Sequence, residues 1–241
     1  MIDLALNVLR CLAAFAGDIF FNVIYRAKAI GRENIPKSGG VLIASNHVAA
    51  METQMVPYLT VDRFSSRRYW FPGKAELFKF PPAAWLFKSL RVIPVRRGGF
   101  DHAVMKRIAE LANNDVVIIY PEGTRSKDGR LHEGRAAVGK IIYDSRTTVV
   151  PVAVFNTRYC MTPGAWFPNL FLPLWAVYGK PLDLRKYFDR PYDKKLAKEI
   201  VAEVMAAIAN LQKEYAYLDK PPKGFLKHKT DDQSGTDSGS R

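Results

Sequence analysis

Cysteine is almost missing from this chain: Cys11 and Cys160 are far apart, and there is neither a CxxC nor a Cys/His cluster. That argues against a disulfide framework or a zinc site, so no metal is expected and a reducing compartment is the default. Both cysteines read as small apolar residues. Nucleophile elbows of the GxSxG kind are absent, as are the P-loop and GxGxxG, which leaves nucleotide hydrolysis and dinucleotide binding without support. Acidic residues are outnumbered, 23 against 36 basic ones, for a formal net charge of +13. A polyanionic partner is expected, either nucleic acid or anionic lipid.

Within residues 1–25 no uncharged stretch reaches the roughly 20 residues that span a bilayer. Residues 1–25 are strongly apolar, yet Asp3, Arg10 and Asp18 interrupt them, and the opening Met1-Ile2-Asp3 does not suit a secretory signal. Asp3, Asn7, Arg10, Asp18 and Asn22 recur at or near helical spacing, with Ala14 filling the gap. This predicts a helix, or two broken near Gly17, with a narrow polar stripe and a wide apolar face. Such an element lies in a membrane interface, or else packs on the protein's own core. Arg26, Lys28 and Arg32 follow it and favour anionic headgroups. Residues 1–30 are therefore read as a membrane-interface helical element, 31–218 as one domain and 219–241 as a polar disordered tail.

The 241 residues suffice for one well-cored domain. VLIAS at 41–45, VIPV at 92–95, VVIIY at 116–120 and VVPVAVF at 149–155 are apolar runs of strand length. A helix is expected to start near Ala49. Asp101 is placed to cap another, with Val104, Ile108 and Leu111 on one face. A last amphipathic helix covers 193–218, carrying Leu196, Ile200, Val204, Ile208, Leu211 and Tyr215 on one side. Strands alternating with helices predict an α/β fold with a mostly parallel central sheet flanked by helices. Ligands of open sheets gather beyond the carboxyl ends of the strands. That rule draws attention to Asn46-His47, Arg96-Arg97 and the run from Pro121 to Arg125.

His47 is one of four histidines and ends a strand. An imidazole there can serve as a general base, and a carboxylate on one ring nitrogen fixes its tautomer. Glu52 is the candidate. The pair is too far apart to stack on one regular helix, but it can meet if His47 sits in the turn and Glu52 in the first helical turn. The run PEGTRS at 121–126 combines Gly123, Thr124 and Arg125. Gly123 lets the backbone approach an anion, and Arg125 offers a charge-assisted fork to phosphate. Arg97, at the end of a different strand, is placed to complete the clamp. Each element also has a plainer reading: a structural histidine, a polar turn, a solvated basic run. A His–carboxylate base without an enzymic nucleophile suits attack by a substrate hydroxyl on an already activated acyl group.

Taken together, these residues resemble the glycerolipid acyltransferase family, which includes the 1-acyl-glycerol-3-phosphate acyltransferases. NHVAAME at 46–52 resembles the NHx4D block, with Glu52 in place of its aspartate. KAEL at 74–77 with VIPVRR at 92–97 resembles the second block, PEGTRS the third and VVPVAV at 149–154 the fourth. Arg91 stands where the family often has glycine. The resemblance covers roughly residues 30–185. It implies that His47, oriented by Glu52, deprotonates the acceptor hydroxyl, which then attacks the thioester of acyl-CoA or acyl-carrier protein. It also implies that Arg97, Glu122, Gly123, Thr124 and Arg125 hold the glycerol phosphate, and that Pro151 helps shape the acyl or carrier site. No cofactor is expected beyond the thioester co-substrate. The resemblance leaves room for other lysolipid acceptors and for a weakly active member.

Basic and aromatic residues are interleaved at 64–71 and 78–88, and 165–175 is aromatic without charge. Single-stranded nucleic acid is bound on comparable platforms. Proline and bulky aliphatics among the aromatics suit a lipid interface better, with about half of these aromatics expected in the core. Membrane lipids are thus the expected partner, with peripheral attachment on a cytoplasmic face. A non-catalytic lipid-surface or nucleic-acid-binding protein is the alternative from another class.

Overall fold

The computed structural model describes residues 15–60, 67–96, 101–126, 128–160 and 167–222. Its centre is a seven-stranded sheet: β1 (Lys28–Ile30), β2 (Val41–Ser45), β3 (Tyr69–Lys74), β4 (Val92–Val95), β5 (Val116–Ile119), β6 (Thr148–Phe155) and β7 (Trp175–Tyr178), in the order β1-β7-β6-β2-β5-β3-β4. All neighbouring pairs run parallel except β6 and β7. β2 and β5 are buried along their whole length. Strands covered on both faces must be apolar on both faces, which is why they appear as unbroken hydrophobic runs.

The period-two alternation sorts these strands into two cores. Val41, Ile43, Val116, Ile118, Val150 and Val152 face one side, packed on Met55 and Val56 of α1 (Glu52–Thr60) and on Phe21 and Tyr25. Leu42, Ala44, Val117, Ile119 and Val149 face the other. There they meet α3 (His102–Ala112), α4 (Ala136–Ser145) and α6 (Lys194–Glu214); α2 (Pro81–Ser89) and α5 (Arg185–Phe188) are shorter. Asp101 caps α3 as expected, accepting from Val104 N–H, and Asp193 likewise accepts from Leu196 N–H at the start of α6. Gly139 lets α4 approach α6, for a β-carbon there would lie 1.9 Å from the Ala197 carbonyl oxygen. Leu196, Ile200, Val204 and Ile208 are buried, while Leu211 and Tyr215 pack on a small third cluster around Phe155.

Three expectations are revised. β1 pairs with β7, so residues 28–30 belong to the sheet and not to a separate N-terminal element. The helical turns before it include a π-helical stretch, Ile19–Ile24, that presents Phe21 to the core and leaves Ile19 and Val23 exposed. Residues 1–14, the rest of that expected helix and Cys11, lie outside the described residues. At the other end, Asp219 pairs with Arg158 at 2.5 Å and Lys220 N–H donates to Asn156 at 2.9 Å, so the fold extends into the segment read as tail. The helix expected from Ala49 begins at Glu52.

Candidate active site

β2 ends at Ser45, and the chain leaves the sheet between β5 and β6. Asn46 is buried there, its side-chain oxygen accepting Val154 N–H of β6 at 2.9 Å. His47 follows, held by its main chain from two directions. Its N–H donates to Glu122 Oε1 at 2.9 Å, and its carbonyl accepts Ser126 N–H at 2.8 Å. The turn 121–126 after β5 is thus stitched to the turn after β2, so the two motifs of the sequence meet at one edge of the sheet.

The imidazole is equally constrained. Its Nδ1 lies 2.6 Å from Glu52 Oε2, with the His47 side chain 14% exposed and that of Glu52 fully buried. A carboxylate can only accept, so Nδ1 carries the proton and Nε2 presents its lone pair. Nε2 has no protein partner among the described residues. The Tyr120 ring stacks on the imidazole with centroids 4.3 Å apart and planes 25° from parallel. Burial, and then the Glu52 charge, push the Tyr120 phenol well above its ordinary range. It lies against the imidazole as a neutral aromatic plate.

Glu52 anchors the whole turn. Besides His47 it accepts Val48 N–H at 3.0 Å, Ala49 N–H at 2.9 and 3.0 Å, and the Thr157 hydroxyl at 2.5 Å. The N–H groups of the turn that leads into α1 converge on this carboxylate. This is how residues five apart meet: His47 is outside the helix and Glu52 is its first residue.

In the second motif the side chains divide. Gly123, Thr124 and Arg125 are exposed, while Glu122 and Ser126 are buried. Gly123 has φ +70°, a left-handed conformation that glycine adopts without penalty. A β-carbon there would meet the Arg135 side chain at 2.5 Å. Arg135 Nε in turn donates to the Glu122 carbonyl at 3.2 Å. The Glu122 carboxylate, expected on the phosphate, is instead turned inward, where it accepts the main-chain N–H groups of His47 and, at 3.2 Å, His132. A carboxylate would repel a phosphate, and here it braces the turn that presents its neighbours. Burial raises the Glu122 carboxyl above its ordinary range, more than the two N–H donors lower it.

Arg97 lies outside the described residues. The strand before it, β4, is an edge strand three positions from β2, about 14 Å at the usual strand spacing. Pro151 is buried within β6 opposite Ala44. Three participants were not singled out from the sequence: Tyr120, Thr157 and Arg135. The strand-end rule applied to β6 points directly at Asn156-Thr157.

Among the described residues no group of three or more His, Cys, Asp or Glu is arranged to hold a metal ion. Cys160 is buried, its thiol pushed up to about 12 by burial and then by Glu52, which makes it a poor nucleophile. The His–Glu pair has no serine or cysteine to activate among the described residues.

Fold and site together define an α/β protein with a histidine–carboxylate pair at the carboxyl edge of a mostly parallel sheet. The chain belongs to the acyltransferase family, whose model, described as Acyltransferase, matches residues 26–155. It is 30% identical over 145 residues to the chloroplastic 1-acyl-sn-glycerol-3-phosphate acyltransferase BAT2 of Brassica napus, covering 58% of this chain and 40% of that one. The 1-acyl-sn-glycerol-3-phosphate acyltransferase of Borreliella burgdorferi is 29% identical over 131 residues, 53% of this chain and 50% of that one. The aligned parts thus span half or less of these relatives' lengths. The crystal structure of the 1-acyl-sn-glycerophosphate acyltransferase PlsC from Thermotoga maritima superposes with a TM-score of 0.57 at 24% identity, over 77% of this chain and 72% of that one. That likeness establishes a shared fold.

Proposed function

We propose that this chain transfers a fatty acyl group from a thioester, acyl-CoA or acyl-carrier protein, to the free hydroxyl of 1-acyl-glycerol-3-phosphate at a lipid surface. The observation that carries this reading is the His47 imidazole, bound to Glu52 through Nδ1 and open at Nε2, beside the exposed run Gly123-Thr124-Arg125. Nε2 takes the hydroxyl proton as the oxygen attacks the thioester carbonyl. A C–O bond forms, the C–S bond breaks, and the proton passes from His47 to the departing thiolate. General-base assistance of this kind contributes about 10²–10⁴-fold. Positioning both substrates supplies much of the remainder. The exposed backbone and arginine of residues 123–125 suit the acceptor's phosphate. The acceptor follows the relatives named above.

The topology supports work at a lipid surface. β1 is parallel to β7, which is antiparallel to β6, so the start of β1 lies at the same sheet edge as His47. The starts of β1 and β7 and the end of β3 therefore bring three apolar segments to that edge. They expose Ile19 and Val23, Leu77 and Phe80, and Phe167 and Phe171. Arg26, Lys28, Lys74 and Lys79 accompany them. Apolar side chains among cations suit the interface of an anionic leaflet. No described helix is long and apolar enough to cross a membrane.

The test is incubation of the full chain with vesicles carrying a lysolipid panel and each thioester, read by mass spectrometry. Diacylglycerol phosphate is the expected product. Faster acylation of lysophosphatidyl-ethanolamine or -glycerol would replace the acceptor, and no acylation with any pair would overturn the reading.

A further inference from the structure

We propose that Thr157 is a positioning residue of the His47–Glu52 pair, its hydroxyl setting where the carboxylate sits and hence how the imidazole is aimed. The inference rests on the reading of His47 as the base of acyl transfer.

The Glu52 carboxylate divides its bonds by origin. Oε2 serves His47 Nδ1 and Val48 N–H, both on its own turn, while Ala49 N–H bridges the two oxygens. These donors move with the turn, so they cannot fix it against the sheet. Thr157 comes 105 residues later, from the turn after β6, and is fully buried. Its hydroxyl is the one side-chain donor to Glu52 from another strand among the described residues. At 2.5 Å the contact has the length of a charge-assisted O–H···O⁻ bond.

Thr157 is itself held. Asn156 turns the chain with φ +68°, a conformation that asparagine tolerates better than most residues. The Asn156 amide donates to Pro173 O at 2.7 Å and accepts Lys220 N–H at 2.9 Å. Two distant segments therefore lock the turn that points the hydroxyl at Glu52.

Side-chain length makes this specific. Glutamate at 52 places its carboxylate between the imidazole and the Thr157 hydroxyl. Aspartate would withdraw it by about one C–C bond, about 1.5 Å. Held on His47, that shorter carboxylate would lie beyond hydrogen-bonding reach of Thr157. The Thr157 bond thus belongs to the glutamate form of the site.

The experiment is a double-mutant cycle with Thr157→Val, Thr157→Ser and Glu52→Asp, alongside proton NMR of the His47 Nδ1–H. Thr157→Val keeps the shape and removes the donor, so kcat should fall about tenfold or more, the scale of a hydrogen bond to a charged group, at unchanged KM. Thr157→Ser should restore kcat to within about twofold of wild type, and in the Glu52→Asp background the Thr157→Val change should cost less than about twofold. The low-field Nδ1–H resonance should persist in Thr157→Ser and move or broaden in Thr157→Val. Wild-type kcat and an unmoved resonance in Thr157→Val would overturn the proposal. So would an equal loss of kcat in both position-52 backgrounds, which marks a merely structural threonine. If the wild-type chain transfers no acyl group, the general-base reading falls, and the resonance alone still decides whether Thr157 aims the ring.

Discussion

The Glu122 carboxylate accepts the main-chain N–H of His47 at 2.9 Å, so the turn after one strand fixes the residue that leaves the next. Its second oxygen holds His132 N–H. Glutamine at 122 would offer an NH2 group to one of these donors. A buried donor left unsatisfied costs about 1–3 kcal/mol, so Glu122→Gln should lower both the melting temperature and kcat. The pH dependence carries a sign. Burial lifts the folded-state value above the 4.5 of an ordinary glutamate. The group's contribution is therefore full below that value and is lost as pH rises through the folded one. Denaturant unfolding across this range should show the wild-type advantage over Glu122→Gln shrinking as pH rises.

Gly123 answers to backbone geometry. At φ +70° an alanine pays about 1–2 kcal/mol for the left-handed conformation, and its β-carbon pushes Arg135 off the Glu122 carbonyl. Gly123→Ala should lower thermal stability and raise KM for the phosphorylated acceptor more than it lowers kcat. An unchanged KM would remove the turn from acceptor binding.

Tyr120 separates shape from polarity. Its ring stacks on His47, and its buried hydroxyl has no hydrogen-bond partner among the described residues. Tyr120→Phe keeps the ring and should retain kcat and stability. Tyr120→Leu removes the flat surface and should lower kcat. Equal activity of both variants, measured by initial rates, would show that the stack does not aim the imidazole.

These elements differ in how plainly the sequence announced them. β2 and β4 matched their predicted spans residue for residue. β3 contains Pro72 and Gly73 and follows a basic run, so its aromatics read as interfacial and not as a strand. β1 has three residues, too few for any periodicity to register. β7 was hidden at the end of the aromatic stretch 165–175. At the site, His47 and Glu52 were legible because chemistry and strand-end position agreed. The inward turn of Glu122 was not legible, because a motif gives the order of residues and not the direction of a side chain. Thr157 was missed because its partner lies 105 positions away and only the sheet joins them.

The account turns on proton removal by His47. The decisive measurement compares thioester-dependent acylation of 1-acyl-glycerol-3-phosphate by the wild-type chain and by His47→Ala, with thermal melts of both. The predicted result is a loss of about 10²–10⁴-fold in kcat in a chain that still melts cooperatively. Turnover by His47→Ala at the wild-type rate would contradict it.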